Sequence, residues 1–127
     1  MPVLFKIDPD RGLLRSSFPG VVSPAELMAW YAELRSHPDF SDDLRQIADF
    51  TENTPQDWTT NDMRMVVGEE PFGSGARRAF VGPTDLVFGL ARMYSSFAET
   101  EGQGGTIAVF RTIEEAQTWL DEFPGNE

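Results

Sequence analysis

Hydrophobic positions along this chain repeat in two ways, every second residue in some segments and every third or fourth residue in others. The first repeat is typical of β-strands and the second of amphipathic helices. Five short segments have strand character: Val3–Ile7, Leu13–Phe18, Gln46–Phe50, Arg78–Val81 and Thr106–Phe110. The turn residues Asp8–Gly12 join the first two segments, which predicts a β-hairpin at the start of the chain.

Two predicted helices begin with a capping box, in which a Ser or Thr cap is followed three residues later by Glu. The first box is Ser23–Glu26, with Pro24 at the first helical position. That helix ends at His37–Pro38, because the residue before a proline disfavours the helical conformation. The second box, Thr112–Glu115, starts the last helix of the chain.

Two further helices are predicted in the middle of the chain. The earlier one is weaker; either Thr59 or Thr60 caps it, and its apolar residues are Met63, Val66 and Val67. The later one follows the turn Gly82–Asp85 and ends at the glycine-rich segment Glu101–Gly105. Its spacing predicts a core-facing stripe of Leu86, Leu90, Met93 and Phe97, widened by Val87 and Tyr94.

The order of elements is therefore ββαβαβαβα. It predicts a single α/β domain over residues 1–127, a mixed five-stranded sheet with four helices, since strands that alternate with helices form parallel pairs through right-handed crossovers. The hairpin adds one antiparallel strand at an edge. Ligands of such sheets bind beyond the carboxyl ends of the parallel strands. Three loops lie there: Thr51–Thr60, Gly82–Asp85 and Arg111–Thr112.

Composition excludes several classes of function. The chain has no cysteine, so thiolate metal sites, Fe–S clusters and disulfides are ruled out. Its 21 acidic and 10 basic residues give a net charge of −11, which disfavours binding to nucleic acid and to anionic lipid surfaces. No apolar run reaches the ~20 residues of a membrane span, and no secretory signal is present. We expect a cytoplasmic protein with no stable membrane insertion.

Catalytic and metal-binding motifs are missing. The sole histidine, His37, lies at a predicted helix end without a nucleophile or an orienting group beside it in sequence. No phosphate-binding loop or nucleophile elbow is present. Asp49, Asp57 and Asp85 could converge near the strand ends and hold Mg²⁺ or Ca²⁺ through carboxylate oxygens, but no EF-hand spacing supports this. We predict no enzyme activity, no catalytic residue, no metal and no cofactor.

Five short segments stand out within this order of elements: Arg78–Val81, Phe88–Tyr94, Val109–Arg111, Glu115–Ala116 and Trp119–Leu120. Together with the order and the length of the chain, they resemble the SpoIIAA-like fold of STAS domains. The resemblance covers nearly the whole chain, and it is greatest to small stand-alone bacterial proteins of SpoIIAA-like or STAS-like type with no settled activity. It implies a non-catalytic regulatory or protein-interaction module.

True anti-sigma-factor antagonists carry an Asp-Ser-Ser-Gly stretch at the start of the second helix, and phosphorylation of one serine breaks partner binding. The matching region here, Asp57–Asn61, has neither serine nor glycine. Thr59 or Thr60 would be the phospho-acceptor, since the helix dipole favours a phosphate there. The alternative is that the threonine only caps the helix.

Some SpoIIAA-like proteins also resemble lipid carriers of the CRAL-TRIO type, in which a mobile helix opens over an apolar pocket. This resemblance implies a carrier or sensor of a small apolar or amphipathic ligand, with the helix around Met63–Val67 as the lid, because methionine suits adaptable apolar surfaces. The alternative is ordinary core on one face of this helix and exposed methionine on the other. An apolar pocket would distinguish the two.

The candidate residues for binding a protein partner or a small ligand are Trp58, Thr59, Thr60, Met63, Thr84, Asp85, Arg92 and Arg111. Trp58 either meets a partner or folds back over the core. Arg92 lies off the predicted apolar stripe, where it would pair with a carboxylate such as Asp85 or bind an anion. The basic pair Arg77–Arg78 is expected to pair with carboxylates. A homodimer is compatible with these predictions.

Overall fold

A computed structural model describes residues 3–122. Within these residues the chain is α/β, with a five-stranded mixed sheet and four helices in the predicted order. The elements are β1 (Leu4–Asp8), β2 (Leu13–Ser17), α1 (Pro24–Ser36), β3 (Arg45–Asp49), α2 (Thr60–Gly68), β4 (Arg77–Val81), α3 (Asp85–Glu101), β5 (Thr106–Phe110) and α4 (Ile113–Asp121).

The strands lie side by side in chain order, β1-β2-β3-β4-β5. The predicted hairpin pairs β1 with β2 antiparallel at one edge, and every other pair is parallel. Because each crossover moves one strand in the same direction, α1, α2 and α3 cover one face of the sheet. Helix α4 packs on the opposite face, against β3, β4 and β5.

The two faces of the central strand β4 carry different residues. Ala79 and Val81 lie under α4, whereas Arg78 and Phe80 point towards the three-helix side. Successive side chains of a strand alternate between faces, and both faces of β4 are covered. One arginine of the basic pair therefore has to enter the interior, and it is Arg78.

The predicted helix starts are found in the structure, with one difference in detail. Ser23 forms the predicted capping box with Glu26. Thr112 caps α4 by accepting the N–H of Glu115 at 3.1 Å. However, the Glu115 carboxylate accepts the N–H of Arg111 at 3.3 Å and not that of Thr112, so the predicted second box is only half formed.

The predicted apolar stripe of α3 is confirmed in part. Val87 and Tyr94, which were predicted to widen it, are buried, and Leu90 and Phe97 are half-buried and pack against the core. However, Leu86 and Met93 are 61% and 47% exposed, and Ala91 and Ala98 complete the buried stripe. These two small residues suit close packing of the helix against α2 and β5.

Within residues 3–122, no helix is both long enough and apolar enough to cross a membrane.

Candidate ligand-binding cavity

A cavity of about 100 Å³ lies on the three-helix side of the sheet, towards the carboxyl ends of β2, β3 and β4. An apolar cavity of about 150 Å³ binds benzene, and this space is of the same order, so a single ring is the largest group that it suits. Aromatic side chains form much of its lining. They are Phe18, Trp30, Tyr31, Phe50, Trp58, Phe80 and Tyr94.

The aromatic walls support each other. The rings of Phe18 and Phe50 stack with centroids 4.6 Å apart, and Trp30 meets Phe18 edge-on at 5.5 Å. Phe50 meets Phe80 edge-on at 5.7 Å. Stacked and edge-on pairs are favourable beyond the area that they bury. The cavity is therefore held open by contacts within the protein.

The cavity floor carries one buried cation, Arg78. Its Nε donates to Oε1 of Gln46 at 2.7 Å, and its Nη1 donates to the Glu70 carboxylate and to the carbonyl of Gly104 at 3.3 Å. Only 1% of the Arg78 side chain and none of the Glu70 side chain is exposed. A buried charge requires such a partner, so the ion pair fixes the guanidinium in place. The guanidinium also lies within hydrogen-bonding reach of the Tyr31 hydroxyl.

Further contacts restrain Arg78 and its neighbour Gln46. The guanidinium carbon lies 4.0 Å from the ring centroid of Phe72 and 5.2 Å from that of Phe80, within cation–π range. The amide nitrogen of Gln46 donates to the Ser16 hydroxyl at 2.9 Å. The polar floor is thus a connected network, which makes it rigid.

Two tyrosines lie beside this network. The hydroxyl oxygens of Tyr31 and Tyr94 are 2.8 Å apart, and both side chains are buried. Burial raises the pKa of both hydroxyls, and the negative charge of Glu70 raises them further, so both tyrosines stay protonated. The pair holds two protons, and the bond between the hydroxyls uses one. Within the part of the chain that the structure describes, neither hydroxyl donates to another group, which leaves one proton for an acceptor.

Trp30 supplies a second unused donor. Its ring lines the cavity and only 4% of the residue is exposed, yet its Nε1 has no hydrogen-bond partner among residues 3–122. A buried donor without a partner costs about 1–3 kcal/mol. The other unpartnered buried atoms found in those residues, Arg45 Nε and Glu70 Oε1, belong to side chains outside the cavity lining.

The mouth of the cavity is formed by the loop between β3 and α2. Residues 53–56 of this loop, together with Trp58 and Met63, contribute to the lining. The Asn53 amide donates to the carbonyls of Phe18 at 2.9 Å and Gly20 at 3.1 Å, which ties the start of the loop to the segment after β2.

Two of the sequence-predicted site residues, Trp58 and Met63, therefore lie at this cavity. Trp58 is half-buried and packs against the core, so of the two alternatives for this residue it folds back. Met63 is buried on the core-facing side of α2.

The threonine cap of α2 is Thr59 and not Thr60. Its Oγ1 accepts the N–H of Asp62 at 3.0 Å, and the Asp62 carboxylate accepts the N–H of Thr59 at 2.8 Å. Thr60 is the first residue of the helix and is exposed. Neither threonine lines the cavity.

The remaining predicted residues lie elsewhere. Thr84 caps α3, and Arg111 donates to Asp85 at 2.8 Å while its guanidinium covers the Phe88 ring at 4.2 Å. Since Asp85 pairs with Arg111, it is not the partner of Arg92; Arg92 is exposed and forms no ion pair within the described range. This group does not line the cavity.

The candidate metal and catalytic residues also take local roles. Asp49 accepts the backbone N–H of Thr51 at 2.9 Å. Among residues 3–122 there is no cluster of three or more His, Asp or Glu side chains that could hold a metal ion. His37 caps the end of α1, and its Nδ1 accepts the N–H of Asp39 at 3.1 Å.

The polar floor was missed at the level of sequence. Tyr31 and Tyr94 resemble ordinary members of apolar helix faces, and Gln46 resembles the polar start of a strand. Arg78 gives the best signal, because two adjacent arginines at the start of a central strand require one of them to point into the core.

Known proteins add no identification. No protein-family model matches the chain, and no curated protein matches it.

Proposed function

We propose that this protein binds a small amphipathic molecule in the cavity and serves as its carrier or sensor. The observation that carries the proposal is an aromatic cavity of about 100 Å³ that contains the unpartnered N–H of Trp30 and a tyrosine pair with one proton left over. Burial of an aromatic ring contributes about 1.5–3 kcal/mol, and a ligand acceptor would relieve the cost of the unpartnered donors. The lining consists mainly of aromatic, aliphatic, amide and phenol groups, and the charge of its one arginine, Arg78, is balanced by the Glu70 carboxylate. Such a lining suits binding without catalysis.

The mobile part in this proposal is the end of the mouth loop, residues 55–58, and not the whole of α2. Met63, Val66 and Val67 are buried against the core, which anchors the helix. Trp58 is only half-buried, and its displacement would open the cavity without unfolding a helix. Met65, which is 45% exposed, lies outside the lining.

A regulatory protein-interaction role is the second candidate. Helix α3 favours it, because Val87 and Tyr94 line the cavity while Leu86 and Met93 expose apolar surface two turns apart on the other side. A sensor would use this helix to report occupancy to a partner. Together with this regulatory role we propose a SpoIIAA/STAS-like fold, which the ββαβαβαβα order and the single mixed sheet support.

The test is retention of a small molecule by the full chain. Native mass spectrometry of protein purified gently from its host would be compared with the 14.2 kDa polypeptide. We expect a non-covalent adduct that Ala91→Leu removes, because Ala91 is buried in the cavity wall. Ala32→Leu, on an exposed position of α1, is the matched control and should keep the adduct. Wild-type protein without any adduct, or equal retention by Ala91→Leu, would contradict the proposal.

A further inference from the structure

We infer that the group recognised at the cavity floor is an uncharged hydrogen-bond acceptor of the carbonyl type, carried on a single planar ring. The inference rests on the proposed function and specifies its ligand class. Three properties of the cavity support it: the balance of donors and acceptors, the balance of charge, and the size of the space.

The cavity offers unused donors. The Tyr31–Tyr94 pair has one proton left over, and Trp30 Nε1 has no partner among the described residues. The nearest amide oxygen, Oε1 of Gln46, is occupied by Arg78 Nε at 2.7 Å. A ligand group that accepts hydrogen bonds would satisfy these donors, whereas a group that only donates would leave the Trp30 N–H without a partner.

The charge of the floor is already balanced. Arg78 is the cation and Glu70 the anion, and both side chains are buried. A carboxylate ligand would bring a second negative charge beside a single positive one, away from water, and no further cation lines the cavity to offset its desolvation. The net charge of −11 opposes an anion as well. A cationic ligand would lie against the guanidinium. An uncharged acceptor avoids both costs.

The size and the aromatic walls of the cavity favour a flat ring. The volume is about 100 Å³, and Phe18 and Phe50 belong to the aromatic lining together with Trp30. An aromatic ring packs favourably against such walls in stacked or edge-on arrangements.

Three isosteric probes test the inference. Acetophenone carries a neutral carbonyl, α-methylstyrene replaces that oxygen by a methylene group, and benzoate carries a charge. Each is titrated into ¹⁵N-labelled full-length protein while the amide and indole N–H signals are followed. We expect acetophenone to bind about 3- to 10-fold more tightly than α-methylstyrene, the ratio that one net hydrogen bond gives. Benzoate should bind most weakly.

Two variants show whether the named donors produce the preference. Tyr31→Phe/Tyr94→Phe removes both hydroxyls together, so neither hydroxyl of the pair is left without the other. In it, the advantage of acetophenone should fall below about 2-fold, while α-methylstyrene binds as before. Trp30→Phe should reduce the advantage in part, and Trp119→Phe, on the α4 side of the sheet, should not change it.

The outcomes separate the two proposals. Equal or tighter binding of α-methylstyrene, tightest binding of benzoate, or an unchanged acetophenone preference in the double variant would overturn the carbonyl inference and leave the binding function intact. If none of the three probes shifts the signals of cavity residues, the binding function itself is contradicted.

Discussion

Removal of Arg78 is the most informative perturbation of the core. Arg78→Met keeps the length and most of the apolar stem of the side chain but deletes the guanidinium. Glu70 then loses the donor to its Oε2, and its Oε1 has no partner among the described residues at the outset. Gln46 Oε1 and the Gly104 carbonyl lose their donor as well. We expect a loss of about 3–5 kcal/mol in the free energy of unfolding, as for other buried ion pairs broken on one side.

The double variant Arg78→Met/Glu70→Leu isolates the cause. It removes the carboxylate together with its partner, so no buried charge is left unpaired. Replacing both members of a buried pair by apolar residues is often neutral or even stabilising. We therefore expect the double variant to recover at least about 2 kcal/mol of the loss of the single variant, a coupling of the size found between contacting residues.

The assay is urea unfolding followed by far-UV circular dichroism, with the free energy extrapolated to water. Arg77→Met is the matched control, since Arg77 is the adjacent, partly exposed arginine on the same strand, and it should change the stability by less than about 1 kcal/mol. The reasoning would be refuted by an Arg78→Met variant that is nearly as stable as the wild type, or by a double variant as unstable as the single one.

Three further predictions concern the tyrosines, the α2 cap and a glycine turn. Burial raises the pKa of both of the 2 tyrosines in the chain, so phenolate absorbance at 295 nm should stay flat through about pH 10 and rise only on unfolding. The tyrosines contribute their full share to the free energy of unfolding below the pKa of unfolded tyrosine, and this share falls as the pH rises above it. Titration of tyrosine near pH 10 in the folded protein would contradict this prediction. Thr59→Ala should lower the stability by about 1 kcal/mol and Thr60→Ala by much less, measured by urea midpoints; equal losses would argue against Thr59 as the cap. Gly105→Ala should lower the thermal midpoint of unfolding markedly, because Gly105 has φ +72° and an added Cβ would lie 2.5 Å from a backbone oxygen. Gly68→Ala is the control and should not lower the midpoint, since a Cβ at Gly68 meets open space. An unchanged midpoint in Gly105→Ala would contradict the close approach.

Elements with local signals could be predicted from the sequence. Ser23 and Thr112 cap their helices through side-chain bonds to nearby backbone groups, and β5 has the predicted bounds, Thr106–Phe110. These features depend on a few neighbouring residues, so they can be recognised from the sequence alone.

The orientation of α3 and the cavity floor could not be predicted in the same way. Helix α3 carries two overlapping apolar stripes one residue apart, and the choice between them depends on how the helix packs against α2 and β5. The floor depends on register, which places Gln46 opposite Arg78 on adjacent strands, and on helix packing, which brings Tyr31 to Tyr94. Such contacts join segments that are far apart in the chain.

The tether at Asn53 has a consequence for the kinetics of ligand exchange. Its two bonds to the Phe18 and Gly20 carbonyls, and the parallel bridge between Gly20 and Asn53, anchor the loop at its first residues. The Thr54 N–H also donates to the Gly20 carbonyl at 2.9 Å, so only the short span from Pro55 to Trp58 has to move for a molecule to enter or leave. Motions of short loops take nanoseconds to microseconds, whereas rearrangement of a packed helix takes microseconds to milliseconds. A ligand of this cavity should therefore equilibrate rapidly, with a residence time set by its contacts and not by the opening of the protein.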